Sequence, residues 1–172
     1  ASIENQFIVT ESITHSHGDG GQHSHEGLAS YLWLDPTLAI AQAEAIASAI
    51  ERKGFLTSDE VKAQLALLTS KLNALDADIQ RYLDDLEGIT MIATHPRYQY
   101  FARRYGLAIH SMEWEAGAMP TDKELSDLSL IKQELGATVL IWEAQPPKAA
   151  IDAAAALGLQ SAVFPSLAHK PP

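Results

Sequence analysis

Apolar positions recur with helical spacing through the first half of the chain and alternate between strand-like runs and helical stripes in the second. Between Pro36 and Lys53, Leu38, Ala41, Ala45, Ile46, Ala49 and Ile50 fall along one face and predict a helix. Asp35 is placed to cap that helix, Pro36 suits its first position, and Gly54 suits its end. Ser58, followed by Asp59 and Glu60, opens a second helix with acids in its first turn. Its Leu65, Leu68, Leu72, Leu75, Ile79, Tyr82 and Leu86 alternate three and four apart, a heptad seam. Such a seam fits a long helix packed on another helix or across a sheet, and it also fits a coiled-coil dimer.

Beyond this helix, buried-strand runs are predicted at residues 90–94, 107–111, 138–142 and 161–164. Helical stretches separate them: 97–105 ending at Gly106, 121–135 ending at Gly136, and 147–157 ending at Gly158. Thr121 with Glu124 three residues later makes a capping box. Repeated strand–helix units with continuously apolar strands predict an α/β fold: a parallel four-stranded sheet with helices on both faces. In such sheets ligands collect outside the carboxyl ends of the strands. That rule singles out His95, residues 112–115, Glu143 and the stretch from Pro165 onward.

Residues 11–27 break the pattern. They hold four glycines, four histidines and almost no apolar surface, so a flexible His-rich loop is expected there. Phe7-Ile8-Val9 reads as the end of a strand, which leads us to expect preceding sequence. No basic start followed by an apolar stretch marks a signal peptide, as in a mature secreted protein, and no apolar run reaches the roughly 20 residues of a spanning helix.

Composition narrows the partners. The 172 residues carry 22 acidic against 12 basic side chains, which disfavours nucleic acid or an anionic membrane surface. There is no cysteine, so a metal would have to bind through nitrogen and oxygen. His15, His17, His23 and His25 form two His-x-His pairs around a Gly-Asp-Gly-Gly spacer; imidazoles suit zinc, copper, nickel and iron. A solvated linker with incidental histidines is the plainer reading of the same segment. His95, just after a predicted strand and before Pro96, is either a metal ligand or a structural hydrogen-bonding residue. Glu143 could reach the same edge, or could cap a loop or pair with a basic residue. Arg97, Arg103 and Arg104 read as a solvated helix face. No phosphate loop, His-Glu-x-x-His helix or nucleophile elbow is present. A metal-dependent hydrolase would need further ligands and a base beyond His95 and Glu143.

The order of features resembles the zinc/manganese-type solute-binding proteins of bacterial ABC importers. The matching pieces are the His-rich segment, Trp33-Leu34-Asp35-Pro36 opening a helix, the charged heptad helix, and His95-Pro96-Arg97-Tyr98-Gln99-Tyr100-Phe101 with Tyr105-Gly106-Leu107. Ile141-Trp142-Glu143-Ala144-Gln145 completes them. The resemblance implies two α/β lobes joined by a long helix, with metal held between the lobes. It assigns residues 1–35 to a remnant of the first lobe, 36–88 to the linking and heptad helices, and 89–172 to the C-terminal lobe. It implies a non-enzymatic component of metal uptake, binding zinc, with manganese as the other family cargo, and delivering it to a membrane permease. Its place would be the periplasm, or a lipid-anchored position outside a Gram-positive cell. The alternative is a degenerate member acting mainly through protein contacts, with weak metal binding by the His-rich segment. The departures from the family pattern are Tyr31 where a histidine ligand usually stands, Phe164 where an acidic residue often stands, and Met119-Pro120-Thr121 in place of a Glu-Pro-Ser-like loop.

Overall fold

The computed structural model describes residues 9–16, 22–83, 86 and 88–168, with side chains described from Ala29 onward. Two units emerge, one built on Leu32–Glu87 and the other joining Ile8–Tyr31 to Gly88–Pro172.

The first unit is a pair of helices, α1 (Pro36–Lys53) and α2 (Ser58–Leu83), packed on one another. The carboxylate of buried Asp35 accepts the backbone N–H of Thr37 at 2.9 Å and that of Leu38 at 3.4 Å, satisfying donors the first turn leaves open. Gly54 closes α1 in the left-handed region, at φ 68°, which costs a glycine no steric strain. The heptad seam of α2 divides into two rows. Leu65, Leu72 and Ile79 are half-buried, while Leu68, Leu75 and Tyr82 stay exposed.

The second unit holds the sheet. Its strands β3 (Thr90–Ala93), β4 (Ala108–Ser111), β5 (Val139–Trp142) and β6 (Gln160–Val163) are all parallel, in the order β4-β3-β5-β6. The step from β3 to β4 runs one way across the sheet, and the steps from β4 to β5 and on to β6 run the other. Right-handed crossovers therefore put α3 (Gln99–Tyr105) on one face and α4 (Asp122–Leu135) and α5 (Lys148–Ala156) on the opposite one. Burial agrees. Ile92, Leu140 and Trp142 form one core with Leu128 of α4 and Ala150 and Ala154 of α5. Met91, Ala93 and Ile141, which alternate with them, are buried on the other side of the pleat. The capping box at Thr121 forms as expected, its hydroxyl and backbone N–H each 2.7 Å from the Glu124 carboxylate.

Two expectations need correction. The segment expected to be a flexible loop contains paired strands, β1 (Val9–Ser16) and β2 (Gln22–Leu28), antiparallel to one another. Val9, Thr10, Ile13 and Thr14 favour extended backbone, and a two-stranded ladder satisfies backbone groups without needing an apolar core. The helix expected to begin at Arg97 begins at Gln99. The Arg97 backbone N–H instead donates to the His95 carbonyl at 2.9 Å, in a tight turn built around Pro96.

Candidate metal centre

Parallel strands whose crossovers depart in opposite directions leave a crevice between them at their carboxyl ends. Here that point lies between β3 and β5, the neighbours from which the chain turns to either side. Thr94, almost fully buried, knits it. Its N–H donates to the Ile141 carbonyl and its own carbonyl accepts from Trp114 N–H, both at 2.8 Å, while its hydroxyl receives the Glu143 N–H at 3.3 Å. Ala93 and Ile141 are register partners, so His95 and Glu143, each two residues further along, leave the sheet side by side in sequence register.

His95 is held by its ring. Nδ1 lies 2.8 Å from the Trp114 carbonyl oxygen. A carbonyl can only accept, so Nδ1 carries the proton, and a neutral imidazole then keeps its lone pair on Nε2. Metal-binding histidines are oriented in this way by an outer hydrogen bond. Trp114 is itself buried against Trp142, with ring centroids 5.8 Å apart, so the acceptor belongs to the core.

Glu143 is engaged by Arg97. The Arg97 Nε lies 3.1 and 3.2 Å from the two carboxylate oxygens, and both side chains are largely sheltered from solvent. The same guanidinium sits 4.5 Å from the centre of the Tyr31 ring, a cation–π contact. Arg97 had read as part of a solvated helix face; with α3 starting at Gln99, it faces the crevice residues instead. Burial pushes the Tyr31 phenol above its ordinary range and Glu143 adds to the rise, with Arg97 opposing it. Tyr31 thus stays a phenol near neutrality in the metal-free protein.

Phe164 is a packing residue. Its ring stacks on Tyr98 at 5.2 Å and meets Phe101 edge-on at 5.1 Å, while its carbonyl accepts the Tyr98 hydroxyl. Burial, reinforced by Glu143, pushes the Tyr98 phenol far above the usual tyrosine range. Since the folded-state value lies above the unfolded one, the native state retains a proton that the unfolded chain releases as pH climbs past about 10. Stability is therefore full below that pH and falls above it. Tyr98→Phe is expected to flatten the decline, seen as a smaller drop in urea midpoint between neutral and strongly alkaline solution than in the unsubstituted chain.

Of the other expected ligands, His15 and His23 are register partners on β1 and β2, and His25 is paired with Ile13. Their side chains, and all of His17, lie outside the described residues. Among the described residues no group of three or more histidine, aspartate, glutamate or cysteine side chains could hold a metal by itself. The edge supplies His95 as a single oriented imidazole, with a carboxylate, Glu143, already bound by a guanidinium. Sequence reasoning missed the Tyr31–Arg97 contact; a Pro96 that delays the helix was the one available signal for it.

A family model described as zinc-uptake complex component A, periplasmic (ZnuA), matches residues 2–172. Among curated proteins, the zinc-binding protein AdcA of Streptococcus pyogenes serotype M1 is 27% identical over 152 residues, covering 85% of this chain and 30% of that protein. A crystal structure of ZnuA is 30% identical, with a TM-score of 0.67 over 82% of this chain and 55% of its own. The metal-dependent lipoprotein YcdH of Bacillus subtilis, 20% identical, shares the fold with a TM-score of 0.74 over 84% of this chain and 55% of its own. The Zn(II)-bound ZnuA-like domain of Streptococcus pneumoniae AdcA, 18% identical, does so at 0.73 over 81% and 53%. The chain thus spans just over half the length of these solved relatives and under a third of the curated one.

Proposed function

The chain belongs to the ZnuA family of periplasmic zinc-uptake components, and from that premise we propose that it forms part of a zinc-capture protein feeding the membrane permease of an ABC importer. The observation carrying this reading is His95. It stands at the switch point of a parallel sheet with Nδ1 fixed on the Trp114 carbonyl and Nε2 left as a lone-pair donor. Zinc is favoured over manganese because the donor on offer is an imidazole and cysteine is absent. Zinc takes about four ligands, so His95 would be one member of the set that holds it. Capture and delivery need no chemistry on the ion, and the family is one of solute-binding transport proteins. The work would be done in the periplasm, or from a lipid-anchored position outside a Gram-positive cell.

His15, His17, His23 and His25 form a second, separate place of metal contact in this reading. Pairing of His15 with His23 across two strands lowers the ordering cost that a free loop would impose. The rival reading, a member that works mainly through protein contacts, draws support from the engagement of Tyr31 with Arg97 and of Phe164 with Tyr98. Calorimetric titration of zinc into the full chain with His15, His17, His23 and His25 all changed to alanine separates the two. Retention of one zinc per chain is expected for capture at His95; loss of all zinc binding would favour protein contacts.

A further inference from the structure

We propose that α2 is a self-association surface, on which the apolar row Leu68, Leu75 and Tyr82 is covered by the α2 helix of a second copy of this chain running antiparallel to it. The helical pair is poor in core. Among the described residues of α1 and α2, those buried are Pro36, Leu38 and Val61, from helices of 18 and 26 residues. Helices in proteins are held mainly by burial of an apolar face, so this pair leaves much of that stabilisation unmade. The unused surface is ordered. Leu68, Leu75 and Tyr82 stand seven residues apart and are 43%, 48% and 73% exposed. An apolar groove between α1 and α2, lined by Ile46, Ile50, Leu56, Leu65 and Leu68, shares Leu68 with the row.

Charge says what covers it. The half-buried positions of α2 are Leu65, Thr69, Leu72, Asp76, Ile79 and Leu83, four and three apart, and they form the stripe turned to α1. The exposed row lies beside that stripe, and Gln64, Lys71 and Asp78 flank the row on its far side. In an antiparallel pair, flanking positions of this kind meet each other. With Leu75 of each copy set against Leu72 of the other, Leu68 meets Ile79 and Tyr82 meets Leu65. In the same register Lys71 of each copy meets Asp78 of the other, and the two-fold axis makes that contact twice.

Asp78 already touches Arg81 at 2.9 Å through Oδ1, but both side chains are exposed and such a pair is weak. A parallel pair would set Lys71 against Asp76, on the stripe turned to α1, and would lay like helix ends side by side. The antiparallel arrangement avoids both. Opposite charges at the flank and leucine, isoleucine and tyrosine in the middle therefore suit a second copy of α2.

The test is sedimentation velocity of the full chain over a concentration series, with EDTA present so that histidines cannot bridge two copies through a metal. A reversible dimer is expected. Leu75→Glu, at a position exposed in the single chain, should weaken it about a hundredfold while leaving the helical circular dichroism unchanged. Lys71→Asp alone should weaken it about tenfold, and adding Asp78→Lys should restore it. A chain that stays monomeric at every concentration overturns the proposal. So does a dimer indifferent to Leu75→Glu, or a Lys71→Asp defect that Asp78→Lys does not rescue.

Discussion

Replacing His95 with alanine is expected to weaken zinc binding by about a hundredfold or more, beyond what loss of an outer orienting group costs. The chain compared is again the one lacking His15, His17, His23 and His25, so that binding by those residues does not mask the effect. The size follows from the donor set: among the described residues His95 is not part of any cluster of three metal-binding side chains, so no neighbour of the same kind stands ready to replace it. A structural histidine would behave differently. Its removal would leave the Trp114 carbonyl without its ring donor at 2.8 Å and cost stability while sparing zinc. His95→Asn separates the two roles, because a side-chain amide can donate to that carbonyl yet supplies no imidazole nitrogen. Normal unfolding midpoints with zinc binding lost identify a ligand. Zinc binding that survives in both variants would remove His95 from the site.

Much of the fold was legible because local rules and tertiary packing agreed. Asp35 before Pro36, Thr121 with Glu124, and Gly54, Gly106 and Gly136 mark helix ends that the structure reproduces, since each supplies a hydrogen bond or a left-handed φ needed there whatever surrounds it. The central strands β3 and β5 were legible because strands buried on both faces have to be continuously apolar; the edge strands β4 and β6, expected to be buried, are half-buried or exposed, because each has a neighbour on one side only. The strand order was not legible, since periodicity carries no information about which neighbour a strand takes, and it is the order β4-β3-β5-β6 that places the switch point beside His95.

The candidate site was legible only in part. His95 and Glu143 could be found from the rule that ligands gather past strand ends. Arg97 could not, because a cationic residue ahead of a helical stripe looks like a solvent-facing position until Pro96 is seen to hold it out of the helix. Its partners, Tyr31 and Glu143, lie far along the chain in either direction, and nothing in spacing links them. The His-rich segment failed for the opposite reason. Polarity suggested freedom, whereas extended backbone can satisfy itself by pairing.

The site also depends on the core beneath it, which sets the second large expectation: Trp142→Ala should cost about 3–5 kcal/mol of stability in the sheet unit. Trp142 is 2% exposed at the end of β5, in the core formed with Leu128, Ala150 and Ala154, and its indole N–H donates to Ser161 at 3.0 Å. Truncation removes the largest kind of side chain, opens a cavity beside small residues of α5 that cannot fill it, and strips Ser161 of its donor. Urea unfolding followed by circular dichroism measures the loss; a cost below about 1 kcal/mol would mean that the core collapses around the gap. The consequence reaches the metal edge through one neighbour. Trp114 packs against Trp142 at 5.8 Å, and its carbonyl orients the His95 ring. Zinc affinity should therefore fall in Trp142→Ala even under conditions where the protein remains folded, and recover in Trp142→Phe, which restores an aromatic face for Trp114 without the indole donor. Stability lost with zinc affinity unchanged would instead separate the core from the orientation of His95.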